Sequence, residues 1–164
     1  MSKDDIRVDT YGEVDELNAA LGLARSLSLP ADLDALSERL QTELFTVGAV
    51  LATPEGTRAA AHIPHVQPAW IDAMESAIDA FETELAPMTH FILPGGVAAA
   101  SALHLGRTVC RRAERRVVAL MREQAVAPAV ATYLNRLSDL LFVMARAANH
   151  RAGQADVKWI APKS

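Results

Sequence analysis

The sequence is poor in cysteine, in aromatics and in long apolar runs, and each shortage narrows what the chain can be. One cysteine in 164 residues, Cys110, excludes an intrachain disulfide and a cysteine-built zinc cluster. That usage fits a reducing compartment, so a cytoplasmic protein is expected. No apolar run reaches the roughly 18 residues of a membrane span. The first residues, Met1-Ser2-Lys3-Asp4-Asp5, carry no apolar signal core. Excess positive charge is also missing. The net charge is −4, which argues against general affinity for nucleic acid. Aromatics are only 5% of the residues, and alanine and leucine dominate the apolar ones, a mixture that favours packed helices over sheets.

Familiar catalytic patterns are absent too. No Ser-His-Asp arrangement is evident. Gly95-Gly96 is not followed by the Lys-Ser/Thr of a P-loop. His62 and His65 share a segment without a third ligand at useful spacing, and His90, His104 and His150 stand apart, so surface or capping roles are expected. Cys110 reads as a small packed residue, although neighbouring arginines would favour its thiolate. Trp70 and Trp159 read as packing groups.

Against that background one stretch stands out. Arg107-Thr-Val-Cys-Arg-Arg-Ala-Glu-Arg-Arg116 puts five arginines and one glutamate into ten residues of an acidic protein. At about 100° per residue, Arg107, Arg111, Glu114 and Arg115 share an arc of roughly 100°. Val109, Ala113, Val117 and Leu120 cluster on the opposite side. Arginines stacked at i, i+4 and i+8 suit a polyphosphate, because the guanidinium fork matches phosphate oxygens and keeps its charge. The alternative is a solvated face with internal Arg–Glu pairs, but one glutamate cannot neutralise five arginines.

Periodicity predicts an all-α fold, a five-helix up-and-down bundle in one domain spanning 1–164. Helices are expected at about 10–28, 32–51, 68–85, 97–124 and 128–151, followed by an extended tail over 154–164. In the first, Val14, Leu17, Leu21 and Ala24 form the apolar stripe, and Tyr11, Asp15 and Asn18 share another face. In the second, Leu33, Leu36, Leu40, Leu44, Val47 and Leu51 recur at helical spacing. Thr53 to Gln67 is a long loop. Asp15 is read either as an acid that orients an arginine from elsewhere or as a first-turn acid on the helix dipole. Asn135, Asp139, Phe142 and Arg146 share one side of the fifth helix. On so apolar a helix they either pair with other helices or line a site. Phe91-Ile-Leu-Pro-Gly-Gly96 is either an ordinary turn or a phosphate nest before a helix.

Four motifs appear in order: Lys3-Asp-Asp5 with Tyr11-Gly-x-x-Asp-Glu-Leu-Asn18; Phe91 to Gly96; Arg107-x-x-Cys-Arg-Arg-Ala-Glu-Arg115; and Tyr133-Leu-Asn-Arg-Leu-Ser-Asp-Leu-Leu-Phe142. By these motifs, which span nearly the whole chain, the sequence resembles the PduO-type ATP:cob(I)alamin adenosyltransferases. The resemblance implies a five-helix bundle acting as a homotrimer with sites between subunits. It implies transfer of the adenosyl group of ATP to the cobalt of cobalamin, with release of triphosphate. Lys3, Arg111, Glu114, Arg115 and Asn135 would contact ATP, with Mg2+ on the phosphates and Glu114 as the candidate protein ligand of the metal. Arg107 would pair with Asp15 across a subunit boundary, and Arg107, Arg111 and Asp15 would form the catalytic set. Phe91, Asp139 and Phe142 would line the corrinoid pocket, Phe91 displacing cobalamin's lower ligand. Arg112 and Arg136 point elsewhere on their helices and are expected to be structural. A flavin-type reductase and an adenosylcobalamin-dependent enzyme would be partners.

The family's Thr- and Gly-rich segment upstream of Lys-Asp-Asp is not in this sequence. Its absence is the main support for the competing reading, a non-catalytic corrinoid- or nucleotide-binding bundle. A nucleic-acid-binding or scaffold module is disfavoured by the acidic charge and the lack of base-stacking aromatics.

Overall fold

The computed structural model describes residue 2 and residues 5–164 and contains five long helices. These are α1 (Ile6–Arg25), α2 (Ala31–Ala52), α3 (Pro68–Glu82), α4 (Ala98–Met121) and α5 (Pro128–Arg151). A short 3-10 turn, Ala59–His62, lies in the loop between α2 and α3. The apolar stripes expected from the sequence are the buried ones. Val14, Leu17, Leu21 and Ala24 on α1, and Leu33, Leu40, Leu44, Val47 and Leu51 on α2, all enter the core.

The central element is α4. It packs on α1 at one side and on α5 at the other, while α2 covers α1 and α3 covers α5. Its buried face is rich in small groups, Ala99, Ala100, Ala102, Gly106, Cys110 and Ala113, with Leu103, His104 and Val109 among them and Val117 and Leu120 closing it. Small side chains let helices approach closely. A Cβ on Gly106 would sit in van der Waals contact with Leu141 of α5 and Ala20 of α1.

Helix ends differ from expectation at four places, one of them the end of α1 at Arg25, three residues before the expected 28. α1 begins four residues before the expected Thr10, because Asp5 caps it by accepting from the Arg7 amide at 2.8 Å. The early turn carries Arg7 in a buried position, which interrupts the apolar pattern. Asp15 therefore lies in the third turn and is not a first-turn acid. α3 stops at Glu82 and α4 at Met121, about one turn short of expectation; the following residues make tighter turn bonds, such as Leu85 N–H to Glu82 at 3.2 Å and Glu123 N–H to Leu120 at 3.0 Å. The tail also departs from a free extended segment. Trp159 N–H donates to the Phe91 carbonyl at 2.6 Å and Leu93 N–H to that of Val157 at 2.8 Å, around an isolated Ile92–Lys158 bridge.

The core holds several polar groups. Arg7 is 2% exposed and has no carboxylate partner among the described residues. Its guanidinium instead donates to the Leu51 carbonyl (2.7 Å), the Ala125 carbonyl (3.1 Å) and Gln124 Oε1 (2.6 Å). Those acceptors lie at the C-terminal end of α2 and just beyond α4, where helix carbonyls are unpaired and the dipole is negative. Glu43 is also buried and accepts from the Tyr133 hydroxyl at 3.0 Å, with Arg39 at 3.3 Å. Burial raises its pKa, opposed by those two contacts.

His104 contradicts the expected surface or capping role. It is 3% exposed, and neither ring nitrogen has a hydrogen-bond partner among the described residues. Burial, followed by repulsion from Arg107, depresses its pKa to about 4. Leaving such a group unpaired costs about 1–3 kcal/mol.

Two outcomes follow from these buried groups. Arg7→Ala removes three hydrogen bonds and strands two carbonyls, so unfolding free energy should fall by about 2–4 kcal/mol in urea titration, with the slope unchanged. For His104 the folded pKa lies below the unfolded one, so stability is full above about pH 6.5 and falls as the pH drops towards 4. Wild type should lose about 2–3 kcal/mol more than His104→Leu between pH 7 and pH 4, as read by chemical denaturation at each pH. Equal losses would show that His104 is not held neutral by burial.

Candidate active site

With its small-residue face held between α1 and α5, α4 turns its charged arc outward. Contacts with α1 then sort the five arginines. Arg112 Nε lies 2.5 Å from Glu13 Oε2 and its Nη2 pairs with Glu16; Arg116 pairs with Asp9 at 3.1 Å. Arg112 is thus a brace between helices, as its position on the helix led us to expect. Arg107, Arg111 and Arg115 make no ion pair among the described residues.

Arg111, Glu114, Arg115, Val118, Ala119 and Arg122 line an open groove of about 410 Å³. Two of the four charged groups, Arg111 and Arg115, are the phosphate-gripping candidates; Arg122 was missed, although it continues the same face one turn beyond Val118. Glu114 is oriented from α5, since Asn135 Nδ2 donates to its Oε1 at 3.0 Å. Asn135 Oδ1 in turn accepts from Arg136 Nη2 at 2.9 Å, and the same nitrogen lies 2.5 Å from Asp139 Oδ2. Arg136, expected to be structural, therefore links Asn135 to Asp139. This polar chain crosses the α4–α5 seam and joins the nucleotide candidates to a corrinoid candidate.

Further along the seam, the Phe142 ring supports two α4 side chains. The Arg107 guanidinium carbon stands 5.7 Å from the ring centroid, and the His104 ring meets it edge-on at 5.9 Å. Arg107 Nε is buried without a hydrogen-bond partner among the described residues. Its pKa is pushed down by burial and then by Arg111. Asp15 lies elsewhere, exposed on α1 in a groove shared with Asn18, Gln41, Thr42 and Phe45. The single chain therefore does not bring Asp15 and Arg107 together.

Phe91 is 76% exposed on the loop before α4. Its ring is 6.5 Å from that of Trp159, and Met88, Thr89, His90 and Ile160 complete a shelf of about 610 Å³. Trp159 was expected only to pack. The signal that could have distinguished it is the adjacent pair of bulky apolar residues Trp159-Ile160, following Val157 in a tail whose other apolar residues are small. Arg146 lies outside the Phe91 shelf, in a neighbouring cleft of about 290 Å³ that shares Met88, Thr89 and His90 with it; it is buried, pairs with Asp156 of the tail at 2.9 Å and donates to the Ala86 carbonyl at 2.7 Å.

The glycine loop is not a free phosphate nest. Asn149 of α5 fills it, with Oδ1 accepting from the Val97 amide at 2.9 Å and Nδ2 donating to Gly95 at 2.8 Å. Gly96 has φ +107°, and a Cβ there would come within 2.1 Å of Asn149. Cys110 is likewise no thiolate. It is buried, its Sγ donates to the Leu134 carbonyl at 3.1 Å, and burial raises its pKa despite Arg111. Lys3 lies outside the described residues. Among those that are described, no group of three or more His, Cys, Asp or Glu could hold a metal ion.

Comparison with known proteins places this arrangement. A model of the family described as cobalamin adenosyltransferase matches residues 1–148. The corrinoid adenosyltransferase of Bacillus subtilis is 42% identical over 161 residues, covering 96% of this chain and 81% of that protein. The corrinoid adenosyltransferase PduO of Citrobacter freundii is 42% identical over 157 residues, and there the chain spans 47% of the relative's length. Among solved structures, a phenylalanine-to-alanine variant of the PduO-type ATP:corrinoid adenosyltransferase from Lactobacillus reuteri, complexed with cobalamin and ATP, superposes with a TM-score of 0.92 at 40% identity. That match covers 97% of this chain and 88% of the other. An arginine-to-lysine variant of the same enzyme complexed with ATP gives a TM-score of 0.90. Matched over residues 1–148 and 40–42% identical to these relatives along nearly its whole length, the chain belongs to the cobalamin adenosyltransferase family.

Proposed function

We propose that this chain transfers the 5′-deoxyadenosyl group of ATP to the cobalt of reduced cobalamin, forming adenosylcobalamin and releasing triphosphate. The observation that carries the proposal is the groove in which Arg111 and Arg115 make no ion pair among the described residues, beside an oriented Glu114. In the reaction, the electron pair of cobalt(I) forms the bond to the ribose 5′ carbon. The bond from that carbon to the phosphate oxygen breaks, and its electrons leave with triphosphate. Cobalt is the nucleophile, so the protein's part is positioning and charge stabilisation.

Arg111 and Arg115 hold the phosphates, and their charge offsets the charge that grows on triphosphate as it leaves. Lys3 joins them. Mg2+ prefers oxygen ligands and usually keeps water and substrate phosphate around it. One carboxylate, Glu114, faces the groove, which fits a metal carried mainly by ATP with Glu114 as the protein contact. Asn135 fixes the rotamer of Glu114.

The corrinoid lies over the Phe91 shelf, with Asp139 and Phe142 at its other side. Phe91 takes the place of the lower axial ligand, which lowers the coordination number of cobalt and makes its reduction easier. Arg107 pairs with the partner subunit's Asp15 in a homotrimer. The support is that Asp15 and Arg107 lie on different faces of one chain, each without an ion-pair partner among the described residues. Electrons come from a flavin-type reductase, the product goes to an adenosylcobalamin-dependent enzyme, and the setting is the cytoplasm. No helix is long and apolar enough to cross a membrane.

Anaerobic incubation with reduced cobalamin and Mg-ATP should convert the cobalamin spectrum to that of the adenosyl form, with one triphosphate per turnover. Binding of both substrates without triphosphate would instead indicate a carrier. Arg111→Ala should lose a charge-assisted contact worth roughly 1.5–3 kcal/mol, or about 10- to 150-fold in ATP-dependent turnover, with little change in unfolding midpoint. Phe91→Ala should still bind cobalamin but form less four-coordinate cobalt(II) in the presence of ATP. Its turnover should fall more when reduction starts from cobalt(II) than when cobalt(I) is supplied. An unchanged cobalt(II) spectrum would reduce Phe91 to a packing residue.

A further inference from the structure

We propose that His104 is a positioning residue for the adenosyl transfer: its neutral imidazole accepts the Nε–H of Arg107 and holds that guanidinium across the Phe142 ring. The proposal rests on the adenosyl-transfer reading above, and on a coincidence of unpaired atoms. Among the described residues, four buried side-chain polar atoms lack a hydrogen-bond partner. Three of the four are His104 Nδ1, His104 Nε2 and Arg107 Nε. The two side chains project from α4 at i and i+3, a spacing that makes neighbours on a helix face. Both rest on the same ring, Phe142, from which their own ring or guanidinium stands 5.9 and 5.7 Å.

Their chemistry is complementary. A neutral histidine has one ring nitrogen free to accept, and Nε–H of arginine only donates. Packing alone does not call for an imidazole here, because the ring is buried, meets Phe142 edge-on from α5 and gains no hydrogen bond among the described residues. An aliphatic side chain would fill the space with no unpaired nitrogen. In the isolated chain Arg107 folds back over Phe142 with its Nε turned inward and unpaired. Once a carboxylate takes the outer nitrogens, the inner Nε–H is the donor left for the His104 ring one turn away on the same helix face. That bond fixes the plane of the guanidinium, and with it the wall of the corrinoid site. A lysine at 107 would keep the charge and lose this bond.

The experiment is a double-mutant cycle on the full protein, with His104→Leu, Arg107→Lys and both together. Steady-state kinetics are run with cobalt(I) cobalamin and Mg-ATP. His104→Leu should fold, with an unfolding midpoint at pH 7 equal to or above wild type. Its kcat with corrinoid should fall by about tenfold, within the range expected for directly coupled neighbours, while KM for ATP changes less than twofold. His104→Gln, whose amide oxygen can accept from Nε–H, should recover most of that loss. The double variant should be no slower than Arg107→Lys alone. If His104→Leu does not fold, His104→Met takes its place, since an unbranched thioether adapts to irregular core space.

Wild-type turnover in His104→Leu, or losses that multiply in the double variant, would overturn the assignment and leave His104 a packed core residue. A wild-type protein that binds both substrates but forms no adenosylcobalamin would overturn the adenosyl-transfer reading itself, and the His104 proposal with it.

Discussion

The constraint on which the rest depends is the burial of the small-residue face of α4 between α1 and α5. Ala99, Ala102, Gly106, Cys110 and Ala113 give a surface flat enough for two helices to approach closely. Once that face is buried on both sides, only a limited arc of α4 remains exposed, and the charged residues must occupy it. The same packing sets Glu13, Glu16 and Asp9 of α1 against one edge of the arc, where they take Arg112 and Arg116. It sets Asn135 of α5 against the other edge, where it takes Glu114. Arg111 and Arg115 are left between, beside Glu114 but with no ion pair among the described residues. A pair of arginines free of ion pairs among the described residues is thus produced by subtraction, because the acids of α1 take Arg112 and Arg116.

Buried polar groups divide in a way that follows this geometry. At the end of the bundle where α1 begins, Arg7 donates to the Leu51 carbonyl in the last turn of α2, the Ala125 carbonyl beyond α4 and Gln124 Oε1. At the start of α4, Asn149 meets the backbone needs of Gly95 and Val97. Within the core, Glu43 and Tyr133 meet each other's. These contacts serve folding, and a satisfied buried bond contributes about 0.5–1.5 kcal/mol net. The unsatisfied atoms lie elsewhere. His104 and Arg107 sit at the Phe142 end of the α4–α5 seam, and Asn18 Oδ1 lies in the groove beside Asp15. Unpaired buried atoms cost more than paired ones return, about 1–3 kcal/mol each. Their concentration beside Phe142 and Asp15 is the pattern expected where partners arrive from outside the chain.

Loops complete the site by long-range contacts. The Phe91 loop is held from behind by Arg146 through Ala86 and Asp156, and from the side by the tail at Val157 and Trp159. Phe91 can stay 76% exposed because its backbone, and not its ring, is what the fold secures. An exposed aromatic on a fixed backbone is a costly surface to present to water and a ready one to present to a flat apolar ligand.

Much of this was legible in the residues themselves. The 3.6-residue spacing of leucine and alanine determined five helices, since a helix with one apolar stripe must bury it. The spacing of Arg107, Arg111, Glu114 and Arg115 placed them on one arc, because that arc is a property of the helix alone. The grouping of Asn135, Asp139 and Phe142 was equally local. Tertiary structure decided what periodicity cannot carry. It chose which arginines are neutralised, because Glu13 and Glu16 lie almost a hundred positions from Arg112 in sequence. It buried Arg7 and His104, polar residues that composition assigns to the surface. It filled the glycine turn with Asn149 and paired the tail with the Phe91 loop. Each of these outcomes depends on which distant segments meet, and a pattern read along one strand of sequence contains no distances between its parts.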